Sequence, residues 1–290
     1  MRITLMLSGG LGFEMLLHCS RGMKVSAIFT DSNSKAIIDF AKEKNIAVFI
    51  GNPRKGKAQE FIAAEPVDLL LSINYLFIIE SDLINWPKKG AVNFHGSLLP
   101  KYRGRTPHVW AIINNESETG VTAHCITEGC DEGDIIEQVA IPIEVEDTGA
   151  DVLAKYNEAY PQIIDKVLDR FKEEQVNGLK QDETKATYFG KRTPDDGLIN
   201  WNWQRERIYN WVRAQALPYP GAFSFLSGEK IIIDQVVFDD FGYHQGQTNG
   251  LVLSLNPLRV KTANGVLQLV RVRQGLEKIK INDILEGNED

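Results

Sequence analysis

A chain of 290 residues, 43% hydrophobic and 24% charged, has enough apolar material for one large or two medium cores, which excludes a disordered or fibrous protein. A net charge of −7 argues against a dedicated nucleic-acid partner. The first apolar run is too short for a signal h-region or a bilayer span, and three cysteines without framework spacing suit a reducing compartment, so a cytoplasmic protein with no membrane partner is expected.

Ile3 to Leu7 is an apolar run ending in Ser8-Gly9-Gly10-Leu11-Gly12, with Phe13, Leu16 and Leu17 at helical spacing beyond it. This reads as strand, glycine turn, helix. The turn can aim backbone N–H groups at a phosphate, but it is not a complete dinucleotide fingerprint, and a tight βα turn explains the glycines equally well. The pattern continues with strands at 25–30, 47–50 and 67–73 and helices at 34–44 and 58–64. Such alternation predicts a Rossmann-like, mostly parallel sheet with helices on both faces. The loop cluster Arg54-Lys55-Gly56-Lys57 reads as solvated and is left unassigned. Leu76, Phe77, Ile78 and Ile79 continue past a strand end, where core packing and an apolar slot for a flat heterocycle are both open readings.

The next strand ends in Ala91-Val92-Asn93-Phe94-His95, followed by Gly96-Ser97-Leu98-Leu99-Pro100-Lys101-Tyr102-Arg103-Gly104. Residues two apart on a strand share a face, so Asn93 and His95 point one way while Val92 and Phe94 point into packing. A helix opens at Pro107, with proline in its first turn. Runs at 120–127 and 135–143 read as an antiparallel hairpin closing one sheet edge, joined by the acidic link Glu128-Gly129-Cys130-Asp131-Glu132-Gly133-Asp134. His124-Cys125 and Cys130 do not make a metal site, because adjacent strand residues face opposite ways and no second Cys/His pair has ligand spacing.

A long amphipathic helix from Asp147 carries Val152, Tyr156, Tyr160, Ile163, Val167 and Phe171 on one face. Pro161 should kink or break it near Tyr160, since an interior proline costs about 3 kcal/mol. The polar stretch 172–184 marks a boundary between domains 1–183 and 184–290. Beyond it, a helix at 204–214 and strands at 222–225, 230–238, 250–253, 258–261 and 266–273 predict a small β-barrel-like domain of the OB type.

With Asn93-x-His95, Ser97-Leu98-Leu99-Pro100 and Asp131-x-Gly133 in this order, the chain resembles the folate-dependent formyltransferase family over nearly its whole length. Phe189-Gly190-Lys191-Arg192-Thr193-Pro194-Asp195-Asp196 and Pro218-x-Pro220-Gly221-Ala222-Phe223 resemble the C-terminal domain shared by methionyl-tRNA formyltransferase and the sugar-nucleotide N-formyltransferases. The resemblance is close to the formyltransferase part of the 4-amino-4-deoxy-arabinose-modifying enzyme.

That resemblance implies transfer of a formyl group from 10-formyltetrahydrofolate to a dTDP- or UDP-linked amino sugar, with methionyl-tRNA as the alternative acceptor. It implies Asn93, His95 and Asp131 as catalytic residues. Folate contacts would come from Leu76, Phe77, Ile78, Ile79, Glu128, Gly129 and Cys130, and amine-substrate contacts from Ser8, Gly9, Gly10, Ser97 and Arg105. It further implies a cytoplasmic homodimer serving lipopolysaccharide or O-antigen biosynthesis. A formyltetrahydrofolate hydrolase would use a similar Asn, His and Asp set with water, but its usual regulatory domain is not evident before Ile3. A non-catalytic nucleotide sensor would have no need for donors and a base converging on one point.

Overall fold

The computed structural model describes residues 1–65 and 67–287. The chain opens with alternating strands and helices: β1 Arg2–Leu7, α1 Gly9–Gly22, β2 Lys24–Thr30, α2 Lys35–Glu43, β3 Ala47–Ile50, α3 Gln59–Ala64, β4 Leu69–Ile73, α4 Ser81–Ile84 and β5 Gly90–His95. A two-residue strand β6 at Arg103–Gly104 and helix α5 at Pro107–Ile113 lead to β7 Glu118–Cys125 and β8 Ile135–Pro142. Seven strands form one sheet in the order β3-β2-β1-β4-β5-β7-β8. Strands β1 to β5 run parallel, and β7 returns antiparallel to β5.

This order follows from the sequence pattern. Every residue of β4 is buried, as are five of the six in β1, so these near-continuous apolar runs sit at the centre of a sheet covered on both faces. Phe29 anchors the adjoining core, stacking on Phe49 at 5.3 Å and meeting Phe61 edge-on at 5.1 Å. Chain order reverses at β1 and β4, and in open α/β sheets ligands bind beyond the carboxyl ends of the strands at such a switch. Ser8, Asn74 and His95 stand at those strand ends.

Helix α6 runs unbroken from Gly149 to Lys172 with Pro161 inside it, so the break expected from that proline does not occur. Packing outweighs the local cost: Val152, Tyr156, Tyr160, Ile163, Val167 and Phe171 are all buried. At roughly 1.5 to 3 kcal/mol per buried large side chain, that face exceeds the proline penalty.

After α6 come β9 Tyr188–Phe189, α7 Arg205–Ala214, β10 Ala222–Leu226, β11 Glu229–Asp239, β12 Val252–Leu255, β13 Leu258–Lys261 and β14 Val266–Gln274. Short as it is, β9 pairs in parallel with β6, which the sequence pattern did not indicate. The last five strands form an antiparallel sheet in the order β10-β11-β14-β13-β12. The segment 283–286 closes it. Phe225 N–H donates to Glu286 O at 2.9 Å on the β10 edge, and Val252 N–H donates to Asp283 O at 2.8 Å on the β12 edge. Full closure removes exposed strand edges, which is the logic of a barrel.

The chain divides into two compact units that interleave along the sequence. One comprises Met1–Gly104, Thr119–Ile141 and Lys155–Phe189; the other comprises Arg105–Glu118, Pro142–Ala154 and the residues from Gly190 onward. Among the described residues, no helix is long and apolar enough to cross a membrane.

Candidate active site

The first unit builds the site from β5, β7 and the link that follows β7. Register places Asn93 directly opposite His124 and His95 opposite Thr122. Directly opposed residues of an antiparallel pair project from one face, so Asn93, His95 and His124 share a surface while Val92 and Phe94 are buried behind it. Asp131 reaches the same point from the link.

Within this cluster, Asn93 Nδ2 donates to His124 Nε2 at 3.1 Å and to Asp131 Oδ1 at 3.4 Å. His95 Nδ1 is 3.6 Å from Asp131 Oδ2, and His124 Nε2 is 3.5 Å from Asp131 Oδ1. Partners fix the tautomers, because a carbonyl only accepts. His124 Nδ1–H donates to Cys125 O at 2.8 Å, leaving Nε2 to accept from Asn93. The carboxylate beside Asn93 sets that amide's nitrogen inward. His95 Nε2–H donates to Tyr102 O at 2.8 Å, so its exchangeable position is Nδ1, facing Asp131.

Electrostatics separate the roles. Burial pushes the His95 imidazole below its ordinary 6.5; Asp131 and the Tyr102 carbonyl pull it back up, and His124 pushes it further down. Burial would raise the Asp131 carboxyl, but the neighbouring His95 and His124 rings and the Gly104 N–H together hold it far below the usual carboxylate range. At neutral pH the site therefore pairs an anionic Asp131 with a largely neutral His95. Asp131 sits at φ +57°, left-handed backbone that a non-glycine residue seldom adopts. Its Oδ2 accepts from Gly104 N–H at 2.9 Å. Gly104 must be glycine, since at φ +101° a Cβ would lie 2.3 Å from Phe189 O.

The other expected contact residues fall in different places. Leu76 and Ile78 are 44% and 61% exposed in an irregular stretch beyond β4, whereas Ile79 packs against the core. Ile78, Ile79 and Glu128, with Gly56, Gln59, Glu80, Ser81 and Asp82, line a cavity of about 510 Å³. Asn93, His95 and Asp131 do not line it, and the direct link is the chain itself, with Glu128 three residues before Asp131. Phe77, Gly129 and Cys130 stand beside those residues in sequence without lining the cavity.

At the end of β1, Gly9 and Gly10 are exposed and Ser8 is buried. Gly9 N–H donates to Ser34 Oγ at 2.9 Å, and Ser34 donates on to Asp31 Oδ2 at 2.6 Å. A carboxylate-backed serine thus takes the N–H that a phosphate would need. Ser97 is also buried, its hydroxyl donating to Lys101 O at 2.7 Å to close the loop after β5. Arg105 is exposed and belongs to the second unit.

His124 is the site member that sequence reasoning missed. The signal that finds it is register: once β7 returns beside β5, the histidine opposite Asn93 must share its face. Among the described residues, no group of His, Cys, Asp and Glu is arranged to hold a metal ion. Cys19, Cys125 and Cys130 form no disulfide with one another.

Residues 17–168 match the formyl transferase family, and residues 191–289 match the formyl transferase C-terminal domain. The chain belongs to the formyl transferase family. It is 35% identical over 273 residues to the bifunctional polymyxin resistance protein ArnA of Wigglesworthia glossinidia brevipalpis, covering 90% of this chain and 41% of that protein. The chain therefore spans about two-fifths of that relative's length.

Among solved structures, it is similar to WlaRD, a sugar 3N-formyl transferase crystallised with dTDP and 5-N-formyl-THF (TM-score 0.69, 21% identity, 93% of this chain and 98% of that one). It is also similar to the N-formyltransferase of Helicobacter canadensis in complex with folinic acid and dTDP-3-aminofucose (TM-score 0.65, 21% identity, 92% and 98%). HypX of Aquifex aeolicus aligns with a TM-score of 0.64 at 19% identity, over 94% of this chain and 44% of that one. At these identities the structures attest the fold.

Proposed function

We propose that this formyltransferase carries a formyl group from 10-formyltetrahydrofolate to the amine of a dTDP- or UDP-linked amino sugar, with Asn93, His95 and Asp131 as its catalytic residues. The observation that carries the reading is the convergence of a neutral amide donor, an imidazole with one exchangeable nitrogen and an ionised carboxylate on one point at the end of β5. The choice of acceptor leans on the sugar enzymes among the similar structures and on the acidic chain, which suits a small-molecule acceptor better than tRNA.

Each residue has a task that its surroundings suit. Neutral His95 accepts the amine proton at Nδ1, and the imidazolium so formed faces the Asp131 carboxylate, which stabilises it. Asn93 offers an N–H to the oxygen on which charge develops; its 3.4 Å contact with Asp131 is long enough to be exchanged for a better acceptor. His124 holds the Asn93 amide nitrogen in place. The folate supplies the formyl group and the nitrogen that leaves with a proton. Exposed Leu76 and Ile78, beside a cavity lined by Ile79 and Glu128, fit a flat heterocycle better than core packing would, and Glu128, Gly129 and Cys130 precede Asp131 on the other side. The exposed Gly9-Gly10 turn, buried Ser8 and Ser97, and Arg105 remain the proposed amine-substrate side. The same reading takes residues 1–183 as the catalytic domain and 184–290 as an assembly domain of a cytoplasmic homodimer, which sedimentation would check.

The test is incubation of purified protein with 10-formyltetrahydrofolate and a panel of dTDP- and UDP-linked amino sugars, alongside charged initiator tRNA. A formylated sugar nucleotide detected by mass spectrometry is the expected outcome. Formylation of the tRNA with no sugar product would replace this acceptor with the alternative.

A further inference from the structure

Asp131 occupies left-handed backbone, and little of what holds it there comes from its own link. The side-chain amide of Gln181, fifty residues further on, donates from Nε2 to Asp131 O at 2.7 Å and to Gly133 O at 2.8 Å. Its Oε1 accepts from the Arg103 guanidinium, at 3.2 Å from Nε and 2.7 Å from Nη2. Both hydrogens and both lone pairs of the amide are thereby used, and its orientation is fixed, since carbonyls only accept and a guanidinium only donates.

Arg103 is itself fully buried and forked onto Glu183 at 2.7 and 2.9 Å, with Tyr188 OH 2.5 Å from Nη1. Tyr188 in turn donates to Glu132 at 2.9 Å. Arg103 immediately precedes Gly104, whose N–H holds the Asp131 carboxylate, and the β6–β9 pairing sets Arg103 beside Tyr188. One guanidinium thus secures both grips on Asp131, the backbone grip through Gln181 and the side-chain grip through Gly104. The segment from Gln181 to Tyr188, which begins inside the stretch 172–184 read from sequence as a domain boundary, is a clamp on the site.

We propose that Gln181, backed by Arg103 and Tyr188, is a positioning residue that sets the Asp131 carboxylate against His95. The inference rests on the reading of Asp131 and His95 as catalytic. The groups facing His95 are Asp131 from the link, His124 from β7 and the Tyr102 carbonyl from the loop after β5, while Cys130 and the Tyr160 hydroxyl of α6 lie towards Asp131. Of these, Asp131 is the anion favouring the imidazolium, so loosening it makes His95 easier to deprotonate.

The test is Gln181→Met in the full chain, which removes both donated hydrogen bonds and leaves Arg103 with Glu183 and Tyr188. It should lower kcat about tenfold with KM for folate and amine substrate within about twofold, and move the acid limb of the kcat profile to lower pH. The imidazole titration of His95, followed by nitrogen-15 NMR on substrate-free protein, should move the same way. That readout needs no turnover, so it tests the clamp even if the acceptor named above is wrong. Tyr188→Phe, at a half-exposed position, is a milder variant that carries the test if Gln181→Met does not fold, with about a threefold loss in kcat in the same pattern. Wild-type kcat and an unmoved His95 titration in the folded variant, or a loss confined to KM, would overturn the proposal.

Discussion

Two buried polar clusters, one in each unit, look alike in composition and differ in tightness. In the second unit, buried Asp234 takes a two-pronged contact from Arg273, with Nε 2.8 Å from Oδ2 and Nη2 on Oδ1, and the same guanidinium holds the carbonyls of Tyr219 and Pro220. In the first, the Asp131 carboxylate has one short bond, from Gly104, and its contacts with Asn93, His95 and His124 run from 3.4 to 3.6 Å. The short geometry fastens a turn to a barrel. The long geometry leaves donors and a base close to one another yet open to a better partner, which a site needs until its substrate arrives.

The sharpest way to break this contrast is His95→Ala, which removes the exchangeable nitrogen. Turnover should fall on the order of a hundredfold to ten-thousandfold in a steady-state assay, with thermal denaturation little changed. Asp131→Asn comes next, with a loss on the order of tenfold to a hundredfold. Its pH signature is specific. If His95 is the base as proposed, activity should rise as it loses its proton, with the wild-type acid limb below the ordinary 6.5; removing the anion that favours the imidazolium should move that limb lower still, as a pH–rate profile would show. His124→Ala leaves the Asn93 amide without its holder, and kcat should drop about tenfold with the His95 limb moving slightly upward, since His124 pushes His95 down. Asp234→Ala completes the contrast from the other side. It should leave the kcat profile unmoved and cost about 2 to 4 kcal/mol in urea unfolding, because the Arg273 fork loses its buried partner while keeping some contact with water.

Much of this was legible in the sequence because it rests on local patterns. Strand β3 at 47–50, helix α5 at 107–113 and strand β13 at 258–261 fall where hydrophobic periodicity and the first-turn proline place them, and the shared face of Asn93 and His95 follows from the two-residue period of a strand. What was illegible is non-local. His124 joins the site only through the register of β7 against β5, Gln181 only through a contact fifty residues long, and the barrel closes only because 283–286 reaches both sheet edges. Pro161 shows the complementary case: of the kink or break expected there, the break is overridden by the buried face of α6.

The most direct measurement is the single-turnover rate of formyl transfer by Asn93→Ala, with the acceptor that the sugar-nucleotide panel identifies and saturating 10-formyltetrahydrofolate. Loss of one preorganised donor is worth about 2.7 to 4 kcal/mol, so the rate should fall on the order of a hundredfold or more while the variant still binds both substrates. A rate within about threefold of wild type, from a folded and saturated variant, would contradict the assignment of the β5 end as the place where the reaction occurs.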